Sequence, residues 1–398
     1  MYIGQVRHPH HQPPWKNIEF YKNSVFFNVE ALPLPLPGEW IDRTPEIILK
    51  LKNKIGDKEE EPTWDLAKRI TNPYELIFTS SNRVDLPPSV SILKPLSRSF
   101  FKLVEMLEIS KFFETVKPGT TTSKYKSLHL CEGPGGFIEA FLDRASRYRK
   151  TVSTAYAMTL KQTNHNIPGW RAASRLLSRN PEIQIEYGTD GTGNILEKEN
   201  QKHLENLLKH SANLVTADGG FDFSIDFQAQ EKLVFPLLVA SAKVACSCLA
   251  KDGMFVLKIF DSFSEVTQNF LTFLALHFRE YTIYKPVTSR PCNSERYFIG
   301  RGFKVFTEQS RQIFDLLIQN GADVSWNVVD ERFDQIRKNM NTMAVKYVEE
   351  QEAALTYVLS FPNNPDRDVV DASWKEQERI CNQWCSQFHV PSRQFSFR

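Results

Sequence analysis

Between residues 86 and 305, short apolar runs alternate with longer stretches in which apolar positions recur at helical spacing. Ser127 to Cys131, Thr151 to Met158, Glu182 to Tyr187, Asn213 to Ala217, Met254 to Ile259, Tyr281 to Lys285 and Tyr297 to Gly300 read as strands. Helical stretches fit between them at Gly136 to Ala145, Leu196 to His210, Gln230 to Leu249 and Phe263 to His277. Ser97 to Ile109 precedes them, with Phe100, Leu103, Val104 and Leu107 on one helical face. Strands alternating with helices predict an α/β domain over 86–305, built on a seven-stranded, mostly parallel sheet with flanking helices.

The flanks read differently. Residues 1–85 contain the proline-alternating run Leu32 to Gly38 and the charged break Lys58 to Pro62. Yet Trp15, Phe20, Tyr21, Phe26, Phe27, Trp40 and Trp64 are too many apolar rings for a plain linker, and predict an N-terminal extension with short helices that packs on the core. Over 306–398, Ser310 to Asn320 and Glu331 to Leu359 are helical in pattern. The second carries Ile336, Met340, Met343, Tyr347, Leu355 and Val358 on one stripe, which predicts a C-terminal helical region with a core-facing side.

Composition narrows the class. In 398 residues, 49 Lys plus Arg against 47 Asp plus Glu leave a net charge of +2, so a polyanion must be held by a local patch and not by a global field. The most apolar stretch, Val234 to Ala250, is interrupted by Pro236 and Lys243 and is too short for a bilayer crossing, so no membrane partner is expected. The His- and Pro-rich start lacks the basic and apolar segments of a secretory signal, which points to an intracellular protein. The 6 cysteines lack zinc-finger spacing and read as reduced thiols, and no metal site is expected.

The strongest local signal is Leu128-His-Leu-Cys-Glu-Gly-Pro-Gly-Gly-Phe-Ile-Glu139, an apolar strand running into a Gly-rich turn that opens a helix. In an open α/β sheet such a turn lies at the carboxyl end of the strands, where ligands bind, and Gly133, Gly135 and Gly136 let a ligand approach the backbone. The free N–H groups of the helix start are an expected seat for a ligand carboxylate. The G-x-x-x-x-G-K-[ST] sequence of a P-loop and the G-x-G-x-x-G dinucleotide spacing are both absent.

This turn resembles the S-adenosylmethionine loop of the FtsJ-like ribose 2'-O-methyltransferases, and four further segments resemble that family in the right order. Ser97-Arg-Ser-Phe-Phe-Lys-Leu103 is similar to its helix bearing a catalytic lysine, and Thr216-Ala-Asp-Gly-Gly220 to its aspartate motif. Phe255-Val-Leu-Lys-Ile-Phe260 is similar to the strand with the second lysine, and the segment from Lys285 to Tyr297 to the one with its glutamate. Carried onto this chain, the Lys-Asp-Lys-Glu tetrad is Lys102, Asp218, Lys258 and Glu295. Asn72-Pro-Tyr-Glu-Leu-Ile77, Met158-Thr-Leu-Lys161, Tyr187-Gly-x-Asp-Gly-Thr-Gly-x-Ile195, Asp218-Gly-Gly-Phe-Asp222 and Ser289-Arg-Pro-Cys-Asn-Ser-Glu295 resemble the cap-specific mRNA branch. The likeness runs over about residues 64 to 305.

The resemblance implies a Rossmann-like S-adenosylmethionine-dependent methyltransferase fold. It implies that the cofactor is held by Glu132, Gly133, Pro134, Gly135, Gly136, Phe137, Asp190, Asn194 and Asp218. Asn194 stands where the family often has an acid, which leaves open whether Asp190 or Asn194 meets the adenosine. The implied reaction is methylation of the ribose 2'-hydroxyl of the first transcribed nucleotide of capped mRNA, or of a following one. For RNA contacts the candidates are Ser97, Arg98, Gln228, Gln230, Ser289, Arg290 and Asn293. Trp15, Trp40, Trp64 and Tyr74 are candidates for stacking on a methylated guanine, with core packing as the alternative. Other capping or transcription proteins are further conceivable partners, and the nucleus, the cytoplasm, or a viral factory or virion the compartment. A ribosomal or transfer RNA 2'-O-methyltransferase and a catalytically silent RNA-binding subunit are the alternatives.

The residue types suit the chemistry. A ribose 2'-hydroxyl is a very weak acid, so methylating it needs a base or steering group beside the oxygen and in-line approach to the methyl. A lysine serves as base only if its pKa is lowered, which burial and a second lysine favour. Lys258 interrupts an apolar run and is expected to steer or deprotonate the hydroxyl, with Asp218 orienting it. Lys102 is expected to position the hydroxyl or its phosphate, and Glu295 to hold the lysine pair. The leaving group is a neutral thioether, so no metal is required. Against this stand an ordinary Lys102–Glu105 helix pair, a turn-forming role for Asp218, and a surface pair of Glu295 with Arg290 or Arg296.

Overall fold

The computed structural model describes residues 14–23, 32–79, 86–119, 123–162, 169–220, 230–326, 328 and 331–394. The first elements are β1 (Tyr21–Lys22), β2 (Leu36–Pro37), α1 (Glu46–Glu59) and α2 (Trp64–Ile70). Next come α3 (Ser99–Ile109), α4 (Phe112–Thr115), β3 (Tyr125–Leu130), α5 (Gly136–Arg147), β4 (Val152–Met158), α6 (Ser174–Arg179) and β5 (Ile183–Glu186). They are followed by α7 (Lys198–Leu208), β6 (Ala212–Ala217), α8 (Gln230–Cys248), β7 (Leu249–Ile259), α9 (Glu265–Leu276), β8 (Phe278–Tyr284) and β9 (Arg296–Phe303). The chain closes with α10 (Glu308–Asn320), β10 (Val324–Ser325), α11 (Glu331–Leu359) and α12 (Arg367–Gln387).

All seven expected strands form, in one sheet of order β1-β8-β9-β7-β6-β3-β4-β5. The pairs linking β5, β4, β3, β6 and β7 are parallel, while β9 runs antiparallel between β7 and β8. The eighth strand comes from outside 86–305: Tyr21 and Lys22 pair antiparallel with β8, and the Tyr21 ring stacks on Tyr281. Chain order reverses at β3, with β4 and β5 to one side and β6 and β7 to the other. The crevice above the carboxyl ends of β3 and β6 is therefore the switch point at which open α/β sheets bind ligands.

Alternation along the strands sorts side chains to two faces. Leu128, Leu130, Val215, Ala217, Phe255, Leu257, Ile259 and Phe298 join α7, α8, α9, α10 and the Ile336, Met340, Met343, Tyr347 stripe of α11. Tyr125, Leu214, Met254, Val256, Tyr297 and Ile299 pack on the other side with α3, α5 and α12. Parity then places Lys258 on the α3 face, the face of the helix that carries Lys102.

The sequence pattern predicts no helix where α12 lies, and its buried side explains why. Ser373, Gln377 and Asn382 occupy core-facing positions there, which blurs the apolar stripe. Gln377 Nε2 donates to the carbonyls of Arg69 and Ile70, each at 3.0 Å, and so ties α12 to the last carbonyls of α2. Trp384 is fully buried with Phe101 and Phe388 around it, at ring distances of 5.9 and 4.8 Å. The cysteines are free thiols. Among the described residues no helix is long and apolar enough to cross a membrane.

Candidate active site

β3 ends at Leu130, and the chain turns through a cis Gly133–Pro134 peptide into α5. Gly135 has φ +112°, and a Cβ there would lie 3.3 Å from both Leu96 Cδ1 and Trp170 Cζ3. A Cβ on Gly219, just past β6, would lie 3.0 Å from Cys131 Sγ, so the two strand ends pass close to one another. The expected free helix start is not free: Glu132 Oε1 accepts the N–H groups of Phe137 and Ile138 at 2.7 and 2.9 Å. Burial pushes the Glu132 carboxyl well above its usual range, and the two amide bonds only partly offset this. Glu132 thus organises the turn, and a ligand carboxylate must find other donors. The Phe137 side chain is also committed to the core, its ring 5.9 Å from that of Tyr297.

The loop that follows β5 forms the lip of the crevice. Gly193 approaches so closely that a Cβ would fall 1.9 Å from the Thr159 carbonyl oxygen beyond β4. Asp190 is exposed, and its Oδ1 accepts from Thr192 N, Thr192 Oγ1 and Asn200 Nδ2 at 2.9, 2.8 and 2.9 Å. Asn194 donates to Glu197 at 3.3 Å and accepts from Leu196 N at 3.1 Å. Both residues shape this loop from within.

At the ends of β6, β7 and β9 the four ionisable residues meet. Lys258 Nζ lies 3.3 Å from Asp218 Oδ1, 3.0 Å from the Asp218 carbonyl and 4.0 Å from Glu295 Oε2. Lys102 Nζ lies 2.6 Å from Glu295 Oε1. Glu295 directly precedes β9, and reaches the carboxyl ends of the parallel strands because β9 runs the other way. The competing pairings are not observed. Glu105 turns away from Lys102 to accept from Tyr284, Val287 and Trp384, and Glu295 is buried, not at the surface.

Burial disfavours both charged forms, but here the opposite charges win. Desolvation pulls the Lys258 ammonium down, Asp218 and Glu295 pull it up, and the balance lies above the ordinary lysine value. Desolvation raises Glu295, Lys102 and Lys258 reverse it, and the carboxyl sits well below its usual range. The lowered lysine expected for a base is therefore not what this cluster provides; Lys258 is held as an ammonium.

Two residues were missed from sequence. Tyr297 lies opposite Lys258 in the β7–β9 register and donates its hydroxyl to Asp218 Oδ1 at 2.8 Å. Burial drives that phenol far above its usual value, which keeps it a donor. Lys285 donates to the Asn293 carbonyl, Asn293 Oδ1 and the Glu295 carbonyl at 2.6, 2.7 and 3.1 Å, and burial lowers it to about 7. A lysine at the end of an apolar strand and before Pro286 was the signal available for it.

The RNA candidates divide. Ser289 Oγ donates to Glu295 Oε1 at 2.8 Å, Asn293 accepts from Lys285, and Gln230 Oε1 accepts from Ser294 at 3.0 Å, so all three brace the Glu295 segment. Arg98 donates to the carbonyls of Thr288, Glu75, Phe78 and Tyr74 at 2.9, 3.2, 3.2 and 2.7 Å. With most of its donors committed to backbone, Arg98 ties two chain segments together where a phosphate contact had been expected. Ser97 packs against Gly136, where a Cβ would lie 2.2 Å from its Oγ. Arg290 is half exposed, 3.6 Å from Glu75. Gln228 lies outside the described residues, as do Phe221 and Asp222. Of the aromatic candidates, Trp15 packs on Tyr74 and Phe388, Trp64 is buried and Trp40 lies against the main core, which is the packing alternative.

At the switch point, then, two lysines and two carboxylates meet beside the glycine-bordered ends of β3 and β6. Residues 95–303 match the FtsJ-like methyltransferase model, and the chain belongs to that family. It is 34% identical over 299 residues to the cap-specific mRNA (nucleoside-2'-O-)-methyltransferase 2 of Danio rerio, covering 69% of this chain and 36% of that protein. It is 33% identical over 273 residues to the cap-specific mRNA (nucleoside-2'-O-)-methyltransferase 1 of Trypanosoma brucei brucei, covering 66% of this chain and 72% of that protein. A protein of the same description in Dictyostelium discoideum is 32% identical over 279 residues, covering 65% of this chain and 34% of its own length. The chain thus spans about a third of the first and last of these relatives.

Proposed function

We propose that this chain transfers a methyl group from S-adenosylmethionine to the ribose 2'-hydroxyl of a cap-proximal nucleotide of capped mRNA. The observation that carries the reading is the meeting of Lys102, Asp218, Lys258 and Glu295 at the switch point, with the two lysines bridged by one buried glutamate. The names of the relatives supply the substrate class. The Gly-rich turn at the carboxyl end of β3, with Gly135 at φ +112°, stands where open α/β sheets bind a ligand and suits the seating of a cofactor. Residues 86–305 form the catalytic domain in this reading, 1–85 and 306–398 are additions to it, and the protein works in the nucleus or cytoplasm.

S-adenosylmethionine, which the turn from Glu132 to Gly136 and the loop around Asp190 and Asn194 would hold, would supply a methyl group on a sulfonium, with a neutral thioether as the leaving group. Lys258, held as an ammonium, donates to the 2'-oxygen and turns its lone pair toward the methyl carbon. Asp218, fixed by Tyr297, orients Lys258, and Lys102, fixed by Glu295, holds the hydroxyl or its adjoining phosphate. As the C–O bond forms the hydroxyl becomes strongly acidic, and in this reading Asp218, beside Lys258, takes the proton.

The test is transfer of labelled methyl to a short RNA bearing a methylated guanosine cap, beside the same RNA uncapped and one whose first ribose is already 2'-O-methylated. Label in the first alone is expected. Label in both capped RNAs moves the target to a following nucleotide, label in all three points to an internal RNA site, and label in none makes the chain a silent binding subunit.

A further inference from the structure

Glu105 is a buried carboxylate that the four-residue cluster leaves unused. It lies one turn beyond Lys102 on α3, is fully buried, and pairs with no Lys or Arg among the described residues. Donors from three parts of the chain converge on it. They are the Tyr284 hydroxyl at the end of β8, Val287 N–H at 2.9 Å with Thr288 Oγ1 at 3.5 Å, and the indole N–H of Trp384 on α12 at 3.1 Å. Val287 and Thr288 begin the segment that ends in Glu295. One turn of α3 therefore reaches that segment twice, through Lys102 at its far end and through Glu105 at its near end. Trp384 comes from outside the family-matched residues 95–303.

We propose that Glu105 is a positioning residue: as a carboxylate it pins α3 to the 284–295 segment and so sets the Lys102–Glu295 contact, with Trp384 making the C-terminal helix part of the fixture. The role rests on the methyl-transfer reading above. Two of the donors are N–H groups that cannot accept, so a proton on Glu105 is seated only if the Tyr284 or Thr288 hydroxyl turns to accept it, and that donor's bond to the carboxylate is lost. Burial raises Glu105 to about 7, against the pull of Tyr284, Val287 and Trp384. The titratable groups that face it are Tyr284 from β8 and Tyr74 from the turn after α2, both kept neutral by burial, while Lys102 on its own helix points to Glu295. As pH falls through neutrality the proton relieves the cost of burying the charge but takes a donor off the carboxylate, so the fixture loosens while the fold as a whole gains stability.

The experiment measures kcat and the cofactor KM against pH for the full chain and for Tyr284→Phe, Trp384→Phe and Glu105→Gln. Tyr284→Phe is nearly isosteric and removes one donor to the carboxylate, so the acid limb of kcat should move up by about one pH unit with the cofactor KM unchanged. Trp384→Phe should move it the same way, and Glu105→Gln should abolish the limb and lower kcat about tenfold. An unmoved limb in Tyr284→Phe and Glu105→Gln, or kcat and KM changing together, overturns the proposal.

A second readout needs no substrate. The folded value of Glu105 lies above the unfolded one, so the wild type should lose stability as pH rises from about 4.5 through 7, and Glu105→Gln should flatten that part of the melting curve. A wild type without methyl transfer but with this difference in melting overturns the function while confirming the titration, and leaves Glu105 purely structural. An unchanged melting profile overturns the assignment of Glu105 itself.

Discussion

The two banks of the crevice are built on different physics. The β3–α5 bank is placed by backbone: a left-handed glycine, a cis peptide and a carboxylate that closes on its own helix. The β6–β7–β9 bank is placed by charge, with two ammonium groups and two carboxylates from four elements holding one another. Each bank buries a glutamate, yet Glu132 is driven up and Glu295 down: Glu295 has Lys102 in direct contact and Lys258 close by, while Glu132 has only the smaller pull of Lys258 against burial and the Asp218 charge. Burial alone therefore fixes no protonation state. The contrast also says how each bank fails, the first by added volume and the second by lost charge.

Lys258→Ala should give the largest effect, a loss of methyl transfer of about 10³-fold or more with cofactor affinity nearly kept, measured by label transfer and calorimetry. A matching loss of affinity would merge the two banks. Glu295→Gln leaves two ammonium groups without their shared partner, and should cost about 3 kcal/mol of stability and about 10² in rate. Because the folded carboxyl lies below the unfolded one, the wild type should lose stability as pH falls below about 4.5, and the variant should lose less, by thermal melts across that range. Gly135→Val strains a positive φ and crowds Leu96 and Trp170, so cofactor affinity should fall about tenfold while turnover at saturation changes little. Tyr297→Phe should be mildest, lowering kcat severalfold without moving affinity, since it removes a single hydrogen bond to Asp218.

Lys258 was legible because a lysine inside an apolar strand demands a partner, and the Gly-rich turn because only a tight bend explains its composition. Tyr297 was not, since its position reads as one more apolar residue of β9 and only the strand register sets it against Lys258. Arg98 was legible as a cation near Lys102, but its acceptors are carbonyls at 74–78 and 288, which no local pattern reveals. The helix start at Phe137 failed for a related reason: its N–H groups are taken by a side chain that precedes them by five and six residues. α12 stayed hidden because a glutamine that caps another helix looks, in sequence, like a surface residue.

The antiparallel insertion of β9 has a consequence in time. Its partners β7 and β8 are both synthesised before it, so the sheet cannot zip up in chain order, and β8 is tied to β7 only once β9 is made. Glu295 and Tyr297 arrive with that strand. Until it pairs with β7, Lys102 and Lys258 have no shared counter-charge, and the centre is complete only with that pairing.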